Sequence, residues 1–166
     1  MKANYVTRGG TTAKAAKAAS RAARYYTFRD GPDQASRIWH TSDGRTASYD
    51  AIKGQIRADA KAYGYTYRVV LSTKDADITA EGYRQVLADR FERWYFIEHH
   101  NTDFPHAHVI GFRKQLVKKA ELQAMREQVA ALEQARAQEQ AAQRDQAHEH
   151  DGPAPRRERE QDYGLG

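Results

Sequence analysis

The sequence predicts an α+β domain: an antiparallel sheet with helices packed mainly on one face, followed by a C-terminal helical arm. Three observations carry this. Runs of β-branched and aromatic residues, YTYRVVLST (65–73) above all, have the composition of strands. Between them lie stretches with helical spacing and few breakers. Asp43-Gly44 stands inside a short β-like segment, where it is a strong hairpin signal.

Taken in order, ANYVT (3–7) alternates and is β-prone, and Gly9-Gly10 ends it. From Thr11 or Thr12 as N-cap, AKAAKAASRAARYYTF forms a helix to about Phe28, stopped by Asp30-Gly31-Pro32. Residues 36–48 hold the RIWHT strand and the Asp43-Gly44 turn, and residues 49–62 read as a helix ending before Gly64. The strand 65–73 follows. Thr79, with Glu81 and Gly82, opens a helix to about Arg90, whose Tyr83, Val86, Leu87 and Phe91 keep helical spacing. Two strands, 93–99 and 106–113, are joined by NTDFP. From Leu116 the pattern is helical. Leu122, Met125, Val129 and Leu132 form two heptads of seam, too short for a strong coiled coil. A monomer with a helical arm is therefore expected, and DGPAPRRERE has the composition of a disordered tail. The chain divides into 1–113, a domain with at least four strands close to the ferredoxin-like class, and 114–166, the arm and tail.

A chain of 166 residues suits one domain with a real core. With no cysteine, disulfides and thiolate metal sites are excluded, which fits a cytoplasmic protein. No apolar run approaches the ~20 residues of a membrane helix, and KANYVTRGG after Met1 offers no secretory leader. The net charge of +5 is uneven. Residues 114–166 carry nine Lys and Arg against ten Asp and Glu, so the first 113 residues hold the excess. Lys14, Lys17, Arg21, Arg24 and Arg29 on or beside the first helix make a basic face suited to DNA or RNA.

Four of the seven histidines fall in EHHNTDFPHAHVIG (98–111). Side chains alternate along a strand, so His106 and His108 share a face while Ala107 and Val109 take the other. On the preceding strand Ile97 and His99 share a face. If the two strands pair as a hairpin, His99, His106 and His108 converge and His100 points away. Three neutral nitrogen ligands leave a bound ion its full charge and open positions for phosphate oxygens, the arrangement of a catalytic metal site. Pro105 suits the start of a strand. The ligand set accepts Zn, Co or Ni as well as Mg or Mn, so it does not name the ion.

HHNTDFPHAHVIGF resembles the third motif of the HUH relaxases, the nicking enzymes of plasmid mobilisation and conjugation. In that family a His, an acidic residue two positions on and Pro-His-x-His precede a β-branched run. His99, His106 and His108 fall on the ligand positions, and Asn101 stands where the family commonly has Asp. An amide orients a ligating His but raises its basicity less than a carboxylate does; Asp103 is the nearest compensating acid. RYYTFRDG (24–31), behind the basic helix, is similar to the first relaxase motif. Together the resemblance covers residues 3 to about 113. It implies an HUH endonuclease fold with a ferredoxin-like palm, a divalent metal (Mg or Mn foremost), single-stranded DNA at an origin of transfer as substrate, and accessory relaxosome proteins as partners. The family's spacing puts the nucleophile three residues before Arg29, which selects Tyr26; Tyr25 is the second candidate. The two side chains lie about 100° apart on a helix, so only one faces the metal.

A tyrosinate attacking a phosphodiester conserves the bond energy in a phosphotyrosine link, so rejoining needs no ATP. A free phenol has a pKa near ~10, so it requires activation. The expectation is a metal-dependent, tyrosine-using single-strand nickase and ligase. Three other readings stay open: a catalytically inactive DNA-binding protein of the same fold, a rolling-circle replication initiator, and a small metal-dependent hydrolase of another phosphate ester. The initiator reading places the nucleophile after the His motif, where Tyr163 is the sole candidate. Trp39, Trp94 and Phe28 are read as core residues, with stacking on unpaired bases as the alternative, and His40 is read as structural or exposed.

Overall fold

The computed structural model describes residues 13–100 and 104–150, with the side chains of 148–150 left aside. The expected strand at 3–7, the residues Asn101 and Asp103, Tyr163 and the expected disordered tail lie outside them.

The elements are α1 (Ala13–Phe28), β1 (Trp39–Thr41), β2 (Thr46–Ala47), α2 (Tyr49–Ala62), β3 (Tyr65–Ser72), α3 (Ala80–Ala88), β4 (Arg93–His99), β5 (His106–Arg113) and α4 (Lys119–His150). Local chemistry sets several of the boundaries. Gly44, at φ +88°, takes the left-handed position of the β1–β2 turn, and its amide bonds the Thr41 carbonyl. Ser48 caps α2 by accepting from the Ala51 amide, and Thr79 caps α3 by accepting from the Gly82 amide.

The chain is α+β, with one five-stranded antiparallel sheet in the order β2-β1-β4-β5-β3. The helices do not gather on one face, and this corrects the sequence expectation. α1 and α2 cover one face, packing Ala19, Ala23, Tyr26, Ile52 and Ile56 with Trp39, Tyr95, Ile97, Ile110 and Phe112. α3 and α4 cover the other, packing Tyr83, Val86, Leu87, Met125 and Val129 with Tyr67, Val69, Trp94, Phe96 and Val109. Both faces of β4 are thus apolar, and residues 94–97 are all buried. The alternation that identifies a one-sided sheet is therefore missing from WYFI.

The apolar seam of α4 is not a free surface. Met125 and Val129 are buried in the second core, with Leu122 and Leu132 packed against it. The Glu133 carboxylate also accepts from the Lys74 and Asp75 amides, tying α4 to the loop after β3. Trp39 and Trp94 are core residues, whereas Phe28 is half exposed. Among the described residues no helix is long and apolar enough to cross a membrane.

Candidate metal centre

β4 and β5 pair in the expected register, with His99 opposite His106 and Ile97 opposite His108. Alternation sends Ala107 and Val109 to the α3–α4 core and leaves His99, His106 and His108 on the α1 face. The three rings lie with centroids 4.7 to 5.4 Å apart. One ligand atom from each falls within 4.8 Å of the others. His99 and His108 are buried, and His106 is partly exposed at the open side. His100 turns away: its ring lies 3.4 Å from Glu98 and 3.7 Å from Asp77.

The donor set fits a divalent cation on its own chemistry. Among the described residues, the four ring nitrogens of His99 and His108 are buried without a hydrogen-bond partner. Buried polar atoms are ordinarily satisfied, so orphaned imidazole nitrogens, one from each ring lying within 4.8 Å of the others, mark where a ligand belongs. His106 is already oriented: its Nδ1 lies 3.1 Å from the Phe104 carbonyl, which leaves Nε2 for a metal. The electrostatics agree. Burial, the Arg37 guanidinium and the neighbouring His106 ring hold His99 down at about 4, with the Asp33 carboxylate and the nearby Tyr26 backbone acting against them. Burial, the other two imidazoles, Arg29 and Arg37 hold His108 at about 3. Both are neutral at pH 7, the form that ligates.

Tyr26 sits directly on this centre. Its ring stacks on that of His108, with centroids 4.1 Å apart and planes 13° from parallel. It is buried, whereas the Tyr25 ring is 58 % exposed and meets that of Tyr26 edge-on at 6.0 Å. Burial raises the Tyr26 phenol above its ordinary value, and the Arg68 guanidinium pulls it down. Both tyrosines, with Arg21 and Arg68, line a depression of about 520 Å³ between α1 and β3. Tyr67 lies in the second core, so alternation turns Arg68 to the opposite face, beside the tyrosines.

Arg37 and Asp33 are further residues of the site that sequence reasoning missed. The Arg37 Nη1 donates to the Tyr26, Thr27 and Arg29 carbonyls, which closes the C-terminal end of α1. Its Nη2 donates to Asp33 at 2.6 Å. The other Asp33 oxygen accepts from the His100 amide at 2.9 Å. Burial opposes ionisation of Asp33, but these bonds hold its carboxyl at about 2. The turn after the tyrosine helix is thereby fastened to the end of the histidine strand. No sequence signal links residues 33 and 37 to residue 100, because the pairing exists only across the fold.

Arg29 is near enough to His108 to depress its basicity. Lys14, Lys17, Arg21 and Arg24 are exposed along α1. His40 is partly buried, stacked on Phe96 at 4.5 Å and 3.2 Å from Arg84, on the face away from the trio. No family model, curated protein or solved structure matches this chain.

Proposed function

We infer that the protein is a metal-dependent DNA strand transferase of the HUH relaxase type, with a ferredoxin-like palm. It nicks and rejoins single-stranded DNA in plasmid or mobile-element transfer through a 5′-phosphotyrosine intermediate. The observation that carries this reading is the stacking of Tyr26 on His108, within a trio of imidazoles whose buried nitrogens lack partners. A packing role alone accounts for the stacking but not for the orphaned nitrogens beside it.

His99, His106 and His108 would hold the ion, with Mg or Mn as the first candidates. When bound, it supplies positive charge to the non-bridging phosphate oxygens and favours a deprotonated phenol nearby. The chain's own groups do the rest. Arg68 opposes the burial that keeps Tyr26 protonated. Tyr26 Oη attacks phosphorus as its proton leaves to solvent, the P–O3′ bond breaks, and the departing 3′-oxygen takes a proton from solvent to leave as a 3′-hydroxyl. Rejoining is the reverse: the 3′-oxygen attacks the phosphotyrosine and Tyr26 Oη departs. Arg37 positions Tyr26 by holding the end of α1.

The test is a covalent-adduct assay on single strands tiled across the DNA around the gene, with Mn or Mg added. The expected result is an EDTA-sensitive protein–DNA band that Tyr26→Phe abolishes and Tyr25→Phe retains. Turnover without an adduct would identify a hydrolase instead. No band on any strand would leave a DNA-binding protein without this chemistry.

A further inference from the structure

A second basic feature lies away from the imidazoles, between α1 and α2. The two helices approach closely because their contact is made by small residues, Ala16, Ala19, Ala23 and Ala60, with Ile52 and Ile56. Above that contact runs an open groove of about 390 Å³. Lys17, Arg21 and Arg24 line it from α1, and Arg57 and Lys61 from α2. Among the described residues no carboxylate lines it, and none of the five cations is in an ion pair. Arg57 is held in place by donating from Nε to the Ser20 hydroxyl at 2.9 Å.

Five unneutralised cations around one depression repel one another, so an anionic occupant relieves the arrangement. Aromatic groups stand at one end. Tyr49 lines the groove, and Phe28 meets it edge-on at 5.3 Å while remaining 51 % exposed. A cationic track beside an exposed ring is the design that binds unpaired nucleic acid: phosphates lie along the charges and a base stacks on the ring. A duplex would use the charges but leave Phe28 without a base. Arg21 lines both this groove and the depression holding Tyr25, Tyr26 and Arg68, so the two are adjacent across α1.

We propose that the α1–α2 groove is a binding site for the backbone of single-stranded nucleic acid, separate from the imidazole centre, with Arg57 and Lys61 as phosphate contacts and Phe28 as a base platform. It does not require the nicking chemistry, and it extends the binding surface from α1 alone to two helices.

The experiment is fluorescence anisotropy of a labelled oligo-dT strand, and of a duplex of the same length, titrated with the full chain in EDTA over a salt series. Each phosphate contact on a single strand contributes about 0.7 to the slope of log affinity against log salt. Arg57→Ala/Lys61→Ala therefore lowers the slope by about 1.4 and weakens binding about tenfold near physiological salt. Arg57→Lys/Lys61→Arg restores the slope. Phe28→Ala weakens strand binding by roughly fivefold or more and leaves duplex binding unchanged. Lys61 makes no hydrogen bond or ion pair among the described residues, so Lys61→Ala removes charge without loosening the fold and carries half of the slope change. An unchanged slope in the Arg57 and Lys61 variants overturns the site. Equal affinity for strand and duplex, indifferent to Phe28→Ala, overturns the single-strand assignment. Binding is read in EDTA and the covalent adduct separately with Mn or Mg added, so intact groove binding in the first with no adduct in the second would sink the nicking reading and leave the groove standing; an adduct in the second with no groove dependence in the first would do the reverse.

Discussion

At the scale of single residues, the histidines make the sharpest demand on pH. Unfolded, His99 and His108 take up protons near the ordinary pH of ~6.5; folded, they do so at about 4 and about 3. The unfolded chain therefore binds more protons throughout that window. Metal-free stability is fully present above it and is lost as pH falls from about 6.5 toward 3. Asp33 acts in the same direction over a lower window, since its folded value of about 2 lies below the ordinary carboxylate range. Urea midpoints measured in EDTA from pH 7 to pH 4 should decline, and His108→Gln should flatten the decline. At pH 7, excess Mn should raise the unfolding free energy by about 2.7 kcal/mol at a hundred times its dissociation constant, and with it the urea midpoint, and His99→Ala should abolish the rise. Arg37 is a third such residue. Its side chain and that of Asp33 are 1 % and 8 % exposed. Arg37→Ala strands a buried carboxylate and three helix-end carbonyls, at a cost of about 3–5 kcal/mol by urea denaturation.

At the scale of elements, the β4–β5 hairpin makes the site and α1 completes it. The pairing of Ile97 with His108 and His99 with His106 decides which imidazoles meet, and a one-residue slip would send the trio into the α3–α4 core. Gly111 helps lock that register. A methyl group there would lie 2.6 Å from the Phe91 ring, which packs flat against the backbone of β5. Gly111→Ala is therefore expected to destabilise by about 1–3 kcal/mol through overpacking, read as a lower melting temperature. Most element boundaries were legible beforehand because each has a local cause: the caps Ser48 and Thr79, the turn glycine Gly44, and β-rich runs ended by polar residues. The His register was legible for the same reason, since alternation is a property of the strand itself. The end of α1 was not fully legible. Its carbonyls are satisfied by Arg37, eight or more residues further on, through a contact that composition does not signal.

At the scale of the whole molecule, two cores share one sheet, and α4 belongs to the second of them. Its seam residues suit a coiled coil by spacing, yet Met125 and Val129 are buried against α3 and the sheet. Met125→Ala should cost about 2–5 kcal/mol. Removal of the chain beyond residue 140, where the described part of α4 buries nothing, should change stability by no more than about 0.5 kcal/mol. Both are read from urea midpoints. The two-faced sheet also explains how the histidine trio stays polar inside an apolar protein. The imidazoles lie at the end of the α1–α2 core, beyond Ile97 and Ile110, where His106 still reaches solvent.

Period and charge are local properties of a chain, so the described helices and strands, the common face of His99, His106 and His108, and the basic character of α1 could all be read from the residues alone. Only the tertiary structure decided that helices cover both faces of the sheet, since a strand buried on two sides loses the alternation that would announce it. Only the tertiary structure, too, separated Tyr26 from Tyr25 by contact and brought Arg37, Asp33 and Arg68 to the centre and Arg57 and Lys61 to the groove. Those placements depend on how helices dock, and docking is set by shape complementarity between surfaces far apart in the chain.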